Sequence, residues 1–224
     1  LAIPVFVGAP PDGSVFLNSM KLWAMCEAGI IAQYGFELDL HQEVLEACAY
    51  HRWGLFDHPA HALATWMLGG GVPKNFNLQP EPALGQVLGL PEVRGYQFDV
   101  QIGTAPVTDG SLSSCPPAEA VTWGKVDKDC YLRTTESMHA DNSILMPFLV
   151  KALLDNRDRY ARLAEKLTAK ELNRKYPKAK GYLRPREGYR LFEHRTELRE
   201  KLLEDLRNNR QWLLQSIQYP TGKR

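Results

Sequence analysis

Apolar residues recur at helical spacing in the first third of the chain. This spacing predicts helices over residues 18–34 and 39–52, and a third helix from about residue 57 to 69. Pro59 would fall in the first turn of the third helix, where proline is tolerated, and the glycines at 69–71 would end it. Because only short loops separate these segments, we expect the three helices to pack as antiparallel neighbours.

Strand patterns are fewer and shorter than helical ones. Residues 96–102 alternate apolar and polar side chains, which is typical of a half-buried strand, and residues 2–7 and 130–135 predict two further short strands. One short helix is expected near residues 83–88. Proline and glycine are frequent in much of the remainder, so residues 103–128 are expected to be mostly loop.

Helical periodicity returns in the C-terminal third. A long helix is predicted over residues 141–167, a short one opens at the capping box that starts at Thr168, and a last one covers residues 189–218. The last helix carries an apolar stripe, which this chain or a partner must cover: Leu191, Leu198, Leu202, Leu206, Leu213 and Ile217. The predicted fold is mainly α, with a minor small β element, long Pro/Gly-rich loops and an extended C-terminal helical arm.

Charge is distributed unevenly along the chain. Residues 1–150 contain seven Lys and Arg against 16 Asp and Glu, whereas residues 151–224 contain 20 against 10. The resulting net charges of −9 and +10 nearly cancel in the total of +1. This asymmetry predicts either an intramolecular clamp or a tail that docks on an anionic surface. We therefore divide the chain into an acidic helical and loop-rich core at 1–140 and a basic helical arm at 141–224.

The densest basic stretch covers residues 170–190, which carry a net charge of +6 and three interleaved tyrosines. Its basic residues are Lys170, Arg174, Lys175, Lys178, Lys180, Arg184, Arg186 and Arg190. Such cations neutralise phosphates or acidic side chains, and tyrosine rings stack on exposed bases. Other protein subunits are the first expected partners, and the alternatives are RNA, anionic lipid and the chain's own acidic half. In the last predicted helix, the residues expected to contact a partner subunit are Leu198, Leu202, Leu206 and Leu213.

Four of the six histidines lie within residues 41–61. Two of them, His58 and His61, are three residues apart and would share a helix face. Together with His51 and Asp57 they are the candidate ligands of a zinc or iron ion. No HExxH motif is present, so histidines that cap, pack or face solvent are the favoured interpretation. We predict no metal and no other cofactor.

Hydrolase chemistry is the alternative function. The loop at residues 8–14 follows an apolar segment and resembles a loop seen in α/β-hydrolases, and His139 lies further along the chain. However, the chain contains no GxSxG nucleophile elbow to complete a triad. The alternatives are therefore a metal-dependent hydrolase at the histidines or a fragment of an α/β-hydrolase.

The preferred prediction is a non-catalytic structural or adaptor subunit of a larger assembly, because the chain combines long loops, an extended arm and no catalytic motif. We expect a soluble protein, since no run of 18 apolar residues occurs. The start at Leu1 leaves open a removed presequence, with an organellar location, or an internal fragment start. Cys115 and Cys130 flank a loop-rich stretch and could pair only in an oxidising compartment.

Overall fold

The helices and strands are those of a computed structural model, which describes residues 2–58, 60–166 and 190–218. The helices are α1 (Ser14–Glu27), α2 (Leu40–Arg52), α3 (Gly71–Leu78), α4 (Pro80–Pro82), α5 (Pro117–Val121), α6 (Tyr131–Thr134), α7 (Asn142–Lys166), α8 (Arg195–Asn208) and α9 (Arg210–Gln218). The strands are β1 (Ala64–Leu68), β2 (Phe98–Gly103) and β3 (Thr135–His139). Short 3-10 turns occur at Pro10–Asp12 and Val107–Asp109, and π-helical turns at Trp53–Asp57 and Ala83–Val87.

The three strands form one parallel sheet in the order β1-β2-β3. Ala64 lies opposite Phe98 in the first pair, and Asp99 lies opposite Thr135 in the second. Parallel neighbours require crossover connections, and helices α3 to α6 lie in these connections. Parallel order also brings the segments that follow β1 and β2 to the same edge of the sheet, which is where ligands bind in open α/β sheets.

The predicted third helix is wrong, because its C-terminal part forms strand β1. Residues 64–68 pair with β2 along their whole length. This apolar run is short, and periodicity alone does not separate a short buried strand from a helical turn. The glycines at 69–71 consequently follow a strand and precede helix α3, instead of ending a helix. The expected packing of three antiparallel helices is wrong for the same reason.

Other elements agree more closely with the sequence patterns. Helix α2 begins after Asp39, whose side chain accepts a hydrogen bond from the Gln42 amide, as the predicted cap requires. The strand at 96–102 and the helix at 141–167 are confirmed within one or two residues. The strand predicted at 130–135 is wrong, because those residues mostly form α6, and β3 follows it.

Helix α1 occupies Ser14–Glu27 and therefore starts and ends earlier than the predicted 18–34. Gly29 adopts a left-handed φ of 68° just after this helix, so the chain leaves the helical path well before residue 34. The segment predicted as a strand at 2–7 has no strand assignment.

The main core lies between α2, the turn at Ala83–Val87 and α8. Cys48, Leu84, Leu198 and Leu202 are each at most 4% exposed and pack together. The Arg52 guanidinium pairs with Asp57 and with Asp205 of α8 around this contact. Helix α8 therefore docks on the acidic N-terminal part of the same chain.

The last predicted helix is divided into α8 and α9 at Asn209. The Asn209 side-chain amide donates hydrogen bonds to the carbonyl oxygens of Leu88 and Gly89, at 2.9 and 3.1 Å. Gly89 lies so close to the Trp212 ring that a Cβ there would come within 2.5 Å. These contacts hold the junction of α8 and α9 against the turn that follows Ala83–Val87.

A second, smaller core backs the sheet and contains Met67, Leu78, Tyr96, Ala120 and Val126. The fold is thus mainly helical with a small β-sheet, which confirms the predicted class at that level. The extended arm and the division of the chain at residue 140 stay predictions. Within the described residues, no helix combines the length and apolar character needed to cross a membrane.

Candidate active site

A cavity of about 480 Å³ lies where α3, the loop after β2 and α5 come together. We call it the lysine pocket, because two lysine side chains line it. Its lining residues are Lys74, Asn75, Leu78, Gln79, Pro82, Gln86, Leu112, Cys115, Glu119, Ala120, Trp123 and Lys125. Amines, a carboxylate, a thiol and an indole therefore share one cavity.

A larger cleft of about 780 Å³ lies between the N-terminal segment and the edge of β1. Its lining is mostly apolar and aromatic, including Phe6, Phe76 and Tyr96, and it includes the acidic residue Asp12. No lysine, arginine or cysteine of the described chain lines this cleft. We therefore take the smaller lysine pocket as the candidate active site, on its chemistry rather than its size.

The glycine turn after β1 brings Lys74 to the lysine pocket. Gly69 and Gly70 have φ values of 66° and 75°, which glycine adopts without strain. Gly71 begins α3 and lies against Leu112, where a Cβ would come within 3.1 Å of the leucine Cβ. Lys74 thus lies at the start of α3, and its side chain reaches the end of β2.

Lys74 is a buried amine, only 6% exposed. Its Nζ donates hydrogen bonds to Gln101 Oε1 and to the Cys115 carbonyl oxygen, both at 2.5 Å. Burial lowers the pKa of Lys74, and the nearby Lys125 lowers it further, whereas Cys115, Asp99 and Glu119 raise it. Lys74 is therefore a buried amine with a fixed position at the wall of the pocket.

Asp99 lies two residues before Gln101 on β2, hence on the same face of the strand. It is fully buried, and neither of its carboxylate oxygens has a hydrogen-bond partner among the described residues. Burial raises the pKa of Asp99 to about 6, although the nearby Lys74 acts to lower it. Asp99 and Lys74 therefore act on each other electrostatically, although no ion-pair contact between them is present among the described residues.

Lys125 is held by the turn that follows α5. Its amide donates to the Ala120 carbonyl oxygen and its own carbonyl accepts from the Tyr96 amide, both at 3.0 Å. Gly124 has a φ of 77° and lies close to Gly95, where a Cβ would come within 2.2 Å of the Gly124 carbonyl oxygen. The Lys125 Nζ donates to Asn75 Oδ1 at 2.9 Å, which directs the amine along the lysine pocket.

Acidic and aromatic side chains complete the surroundings of Lys125. Glu119 accepts a hydrogen bond from the Cys115 thiol at 3.3 Å, and Trp123 is 65% exposed at the pocket. Beneath the turn, the carboxylate of Glu81 packs against Gly124, where a Cβ would come within 2.6 Å of Oε2. Burial raises the pKa of Glu81, and Lys125 acts to lower it.

All four cysteines of the chain are free, so Cys115 and Cys130 are not bonded.

Most of the basic residues predicted to bind a partner lie outside the described residues, namely Lys170, Arg174, Lys175, Lys178, Lys180, Arg184 and Arg186. Arg190 is described and pairs with Glu193. Of the leucine stripe, Leu198 and Leu202 are buried in the chain's own core, and Leu206 packs against that core. Leu213 is half-buried. Contact of the arm with another protein, RNA or lipid stays a prediction.

The histidine cluster is not assembled into a single site. His51 hydrogen-bonds the Arg94 carbonyl oxygen through Nε2, and burial lowers its pKa to about 4. The His58 ring packs on Trp53, and the His61 ring bonds the Leu55 carbonyl oxygen. The described part of the chain contains no group of three or more side chains placed to hold a metal ion. Asp57 instead pairs with Arg52 and Lys201.

A comparison with protein-family models matches residues 1–153 to the deoxyhypusine synthase family. This match covers more than half of the chain. The chain belongs to the deoxyhypusine synthase family. Its matched region includes β1 to β3 and the whole lysine pocket, which therefore lies within the part that the family shares.

Individual relatives agree with this assignment. The deoxyhypusine synthase-like proteins of Cyanothece sp. and Nostoc sp. are 34% and 36% identical over 153 residues, which is 68% of this chain and 37% of each relative. A probable deoxyhypusine synthase 1 of Methanosarcina mazei is 29% identical over 153 residues, 68% of this chain and 40% of the relative. The matched region thus spans about two-fifths of the length of these relatives.

The predicted non-catalytic structural or adaptor subunit is wrong, because the chain belongs to a family that is named for an enzyme. The hydrolase alternatives, at the histidines or as an α/β-hydrolase fragment, find no support in these relatives.

No residue of the lysine pocket was predicted from the sequence to belong to a functional site. Lys74, Glu119 and Lys125 are separated by up to 51 positions and follow no motif with a fixed spacing. The glycines at 69–71 were one signal in the sequence. If residues 64–68 had been assigned as a strand, these glycines would have indicated a turn between a strand and a helix, at the edge of a sheet where ligands bind. That edge would have indicated Lys74, which lies in the helix after it, but not Lys125, which follows α5.

Proposed function

We propose that this chain carries the lysine-bearing active site of an enzyme of the deoxyhypusine synthase type, with Lys125 as its nucleophile. The observation that carries this proposal is the convergence of two lysine amines, one carboxylate and one indole in a single cavity. Lysine amines form covalent bonds to carbon in group-transfer and Schiff-base enzymes, and they are found in pockets of this kind.

Lys125 rather than Lys74 fits the role of nucleophile. Lys74 is almost fully buried and uses its Nζ in two hydrogen bonds to oxygen atoms. Lys125 is half-buried, lines the cavity and donates to Asn75. A nucleophile must approach its substrate closely, and Lys125 can do so with the loss of one hydrogen bond.

Glu119 and Trp123 fit the role of a binding site for an alkylammonium group. A carboxylate pairs with a cation, and the face of an indole attracts one over distances up to about 6 Å. Leu78, Leu112 and Pro82 provide apolar walls for a short alkyl chain. The pocket therefore suits a substrate with a positively charged nitrogen at one end and an aliphatic segment behind it.

This chemistry agrees with the product for which the family is named. Deoxyhypusine is a lysine residue whose side-chain nitrogen carries an aminobutyl group, so its synthesis forms a carbon–nitrogen bond between two amine-bearing partners. We infer that the Lys125 amine bonds to the aminobutyl carbon as the bond from that carbon to the rest of the polyamine breaks, which releases a free amine. Lys125 then passes the group to the acceptor lysine and regains its own amine, while Glu119 and Trp123 bind the free ammonium end of the group. Residues beyond the matched region would complete the site, since that region is about two-fifths of the relatives' length.

The test is a transfer assay with the full-length protein, a lysine-containing acceptor protein and an isotopically labelled polyamine that contains an aminobutyl group. We expect one labelled aminobutyl group on an acceptor lysine, measured by mass spectrometry, and loss of this product in Lys125→Arg. The matched control is Lys128→Arg, which changes an exposed lysine three positions away and should retain the activity. Equal product from Lys125→Arg and wild type would contradict the assignment of the nucleophile.

A further inference from the structure

Cys115 lies at the wall of the lysine pocket, just before α5. Its amide donates a hydrogen bond to the Ser111 carbonyl oxygen at 3.2 Å, and its own carbonyl oxygen accepts one from Lys74 Nζ at 2.5 Å. The backbone of Cys115 is therefore held on both sides, which fixes the position from which its thiol enters the pocket.

The Cys115 thiol donates a hydrogen bond to the Glu119 carboxylate. Its sulfur lies 3.3 Å from Glu119 Oε2, whereas a second acceptor, the Pro116 carbonyl oxygen, is at 3.7 Å. Burial raises the pKa of the thiol, and the hydrogen bond to Glu119 raises it further, so the sulfur keeps its proton at neutral pH. One carboxylate oxygen of Glu119 is thus occupied, while Oε1 has no hydrogen-bond or ion-pair partner among the described residues.

Ammonium and guanidinium groups bind a carboxylate in different ways. A guanidinium is a planar fork whose two parallel N–H groups bind best when they meet both carboxylate oxygens, whereas an ammonium is a compact charge that needs only one oxygen. The face of an indole attracts both kinds of cation, so Trp123 does not distinguish them. In the proposed cation site, the choice between these two classes of substrate therefore depends on Glu119.

We propose that Cys115 is a specificity-determining residue, which occupies one oxygen of Glu119 and makes the pocket select alkylammonium ends over alkylguanidinium ends. This inference rests on the proposed function, in which Glu119 binds the charged end of the substrate. An ammonium can pair with Oε1 while the thiol stays bonded to Oε2. A guanidinium can form its fork only if the thiol gives up Oε2, which leaves it the more distant Pro116 carbonyl oxygen.

Binding of two simple cations tests the proposal without any turnover. The full-length protein is titrated with n-butylammonium and with n-butylguanidinium, and each dissociation constant is measured by ligand-observed NMR. We expect wild type to bind n-butylammonium more tightly. Cys115→Ala frees both oxygens of Glu119, so the ratio of the two dissociation constants should move toward n-butylguanidinium by about threefold to tenfold, a modest change because a thiol is a weak donor.

Three further variants identify the group that is responsible. Cys115→Ser keeps a donor for Glu119 Oε2 and should keep the wild-type ratio, and Glu119→Gln removes the charge and should weaken the binding of both cations. Cys130→Ala is the matched control, because the Cys130 thiol bonds the Gln97 carbonyl oxygen at 3.4 Å and does not line the pocket, so the ratio should stay unchanged. Circular dichroism would confirm that each variant is folded.

A preference of wild type for n-butylguanidinium would overturn the proposal, and so would an unchanged ratio in Cys115→Ala. The same shift in Cys115→Ser as in Cys115→Ala would also overturn it, because that result would show an effect of packing rather than of the hydrogen bond. Failure of wild type to bind n-butylammonium, or equally tight binding by Glu119→Gln, would count against it in the same way.

The titration and the transfer assay separate this inference from the proposed function. A protein that shows selectivity dependent on Cys115 but transfers no aminobutyl group would lose the proposed function and keep this inference. Transfer that depends on Lys125, together with a ratio that does not depend on Cys115, would keep the proposed function and remove this inference.

Discussion

Replacing Asp99 by asparagine should stabilise the protein at neutral and alkaline pH. Asp99 is fully buried, and neither carboxylate oxygen has a hydrogen-bond partner among the described residues. Burial raises its pKa from an ordinary 3.8 to about 6, even with Lys74 nearby. The folded state therefore binds a proton at Asp99 more tightly than the unfolded state does, and ionisation of this group opposes folding.

The sign and size of the effect follow from this shift in the pKa of Asp99. A carboxyl group with a raised pKa contributes stability that is fully present below about pH 3.8 and is lost as the pH rises through about 6. Ionisation of Asp99 lowers the free energy of unfolding by about 3 kcal/mol at pH 8 and by about half of that at pH 5, since each pKa unit corresponds to about 1.4 kcal/mol. Asparagine does not ionise and avoids this cost.

Urea unfolding of wild type and Asp99→Asn at pH 5 and pH 8 measures the effect. The variant should exceed wild type in free energy of unfolding by roughly 1–2 kcal/mol more at pH 8 than at pH 5. Asp129→Asn is the control, because Asp129 is exposed and should change stability by less than about 0.5 kcal/mol. A difference between Asp99→Asn and wild type that is the same at both pH values would refute the argument from burial.

Three further predictions concern the rest of the chain. Leu202→Ala should lower the free energy of unfolding by about 2–5 kcal/mol, because Leu202 is fully buried, whereas Leu214→Ala, at an exposed leucine, should cost less than about 0.5 kcal/mol in the same urea titration. Arg52→Ala should cost about 1–3 kcal/mol and speed proteolysis within Arg195–Asn208, since Arg52 ties α2 to Asp205. An anionic partner of the basic stretch should bind less tightly as salt rises, and also after glutamine replaces Lys175, Lys178, Lys180 and Arg184.

The parts of the fold that were predictable depend on local interactions. Helix α2 was predicted because its apolar spacing and its Asp39 cap depend only on residues that are close together in the sequence. Strand β1 was not, because its identity depends on pairing with β2, which lies about 30 residues later in the chain. Short apolar runs of this kind take their conformation from distant partners.

The candidate site depends still more on tertiary structure. Lys74, Glu119 and Lys125 meet only because α3 and α5 follow neighbouring connections of a parallel sheet. The histidines are close in sequence, yet His51, His58 and His61 have separate partners. The fold brings together groups that are far apart in sequence, and proximity along the chain does not indicate such groups.

Covalent trapping tests the central claim, that Lys125 is the nucleophile of the lysine pocket, most directly. The full-length protein is incubated with an aminobutyl aldehyde, which supplies an electrophilic carbon and an ammonium end, and any imine is reduced with cyanoborohydride before peptide mass spectrometry. We predict one added aminobutyl group, mainly on Lys125 rather than on exposed Lys128, and less of it in Glu119→Gln, which lacks the proposed carboxylate for the ammonium end. Modification spread evenly over exposed lysines, with Lys125 no more reactive than Lys128, would contradict the account.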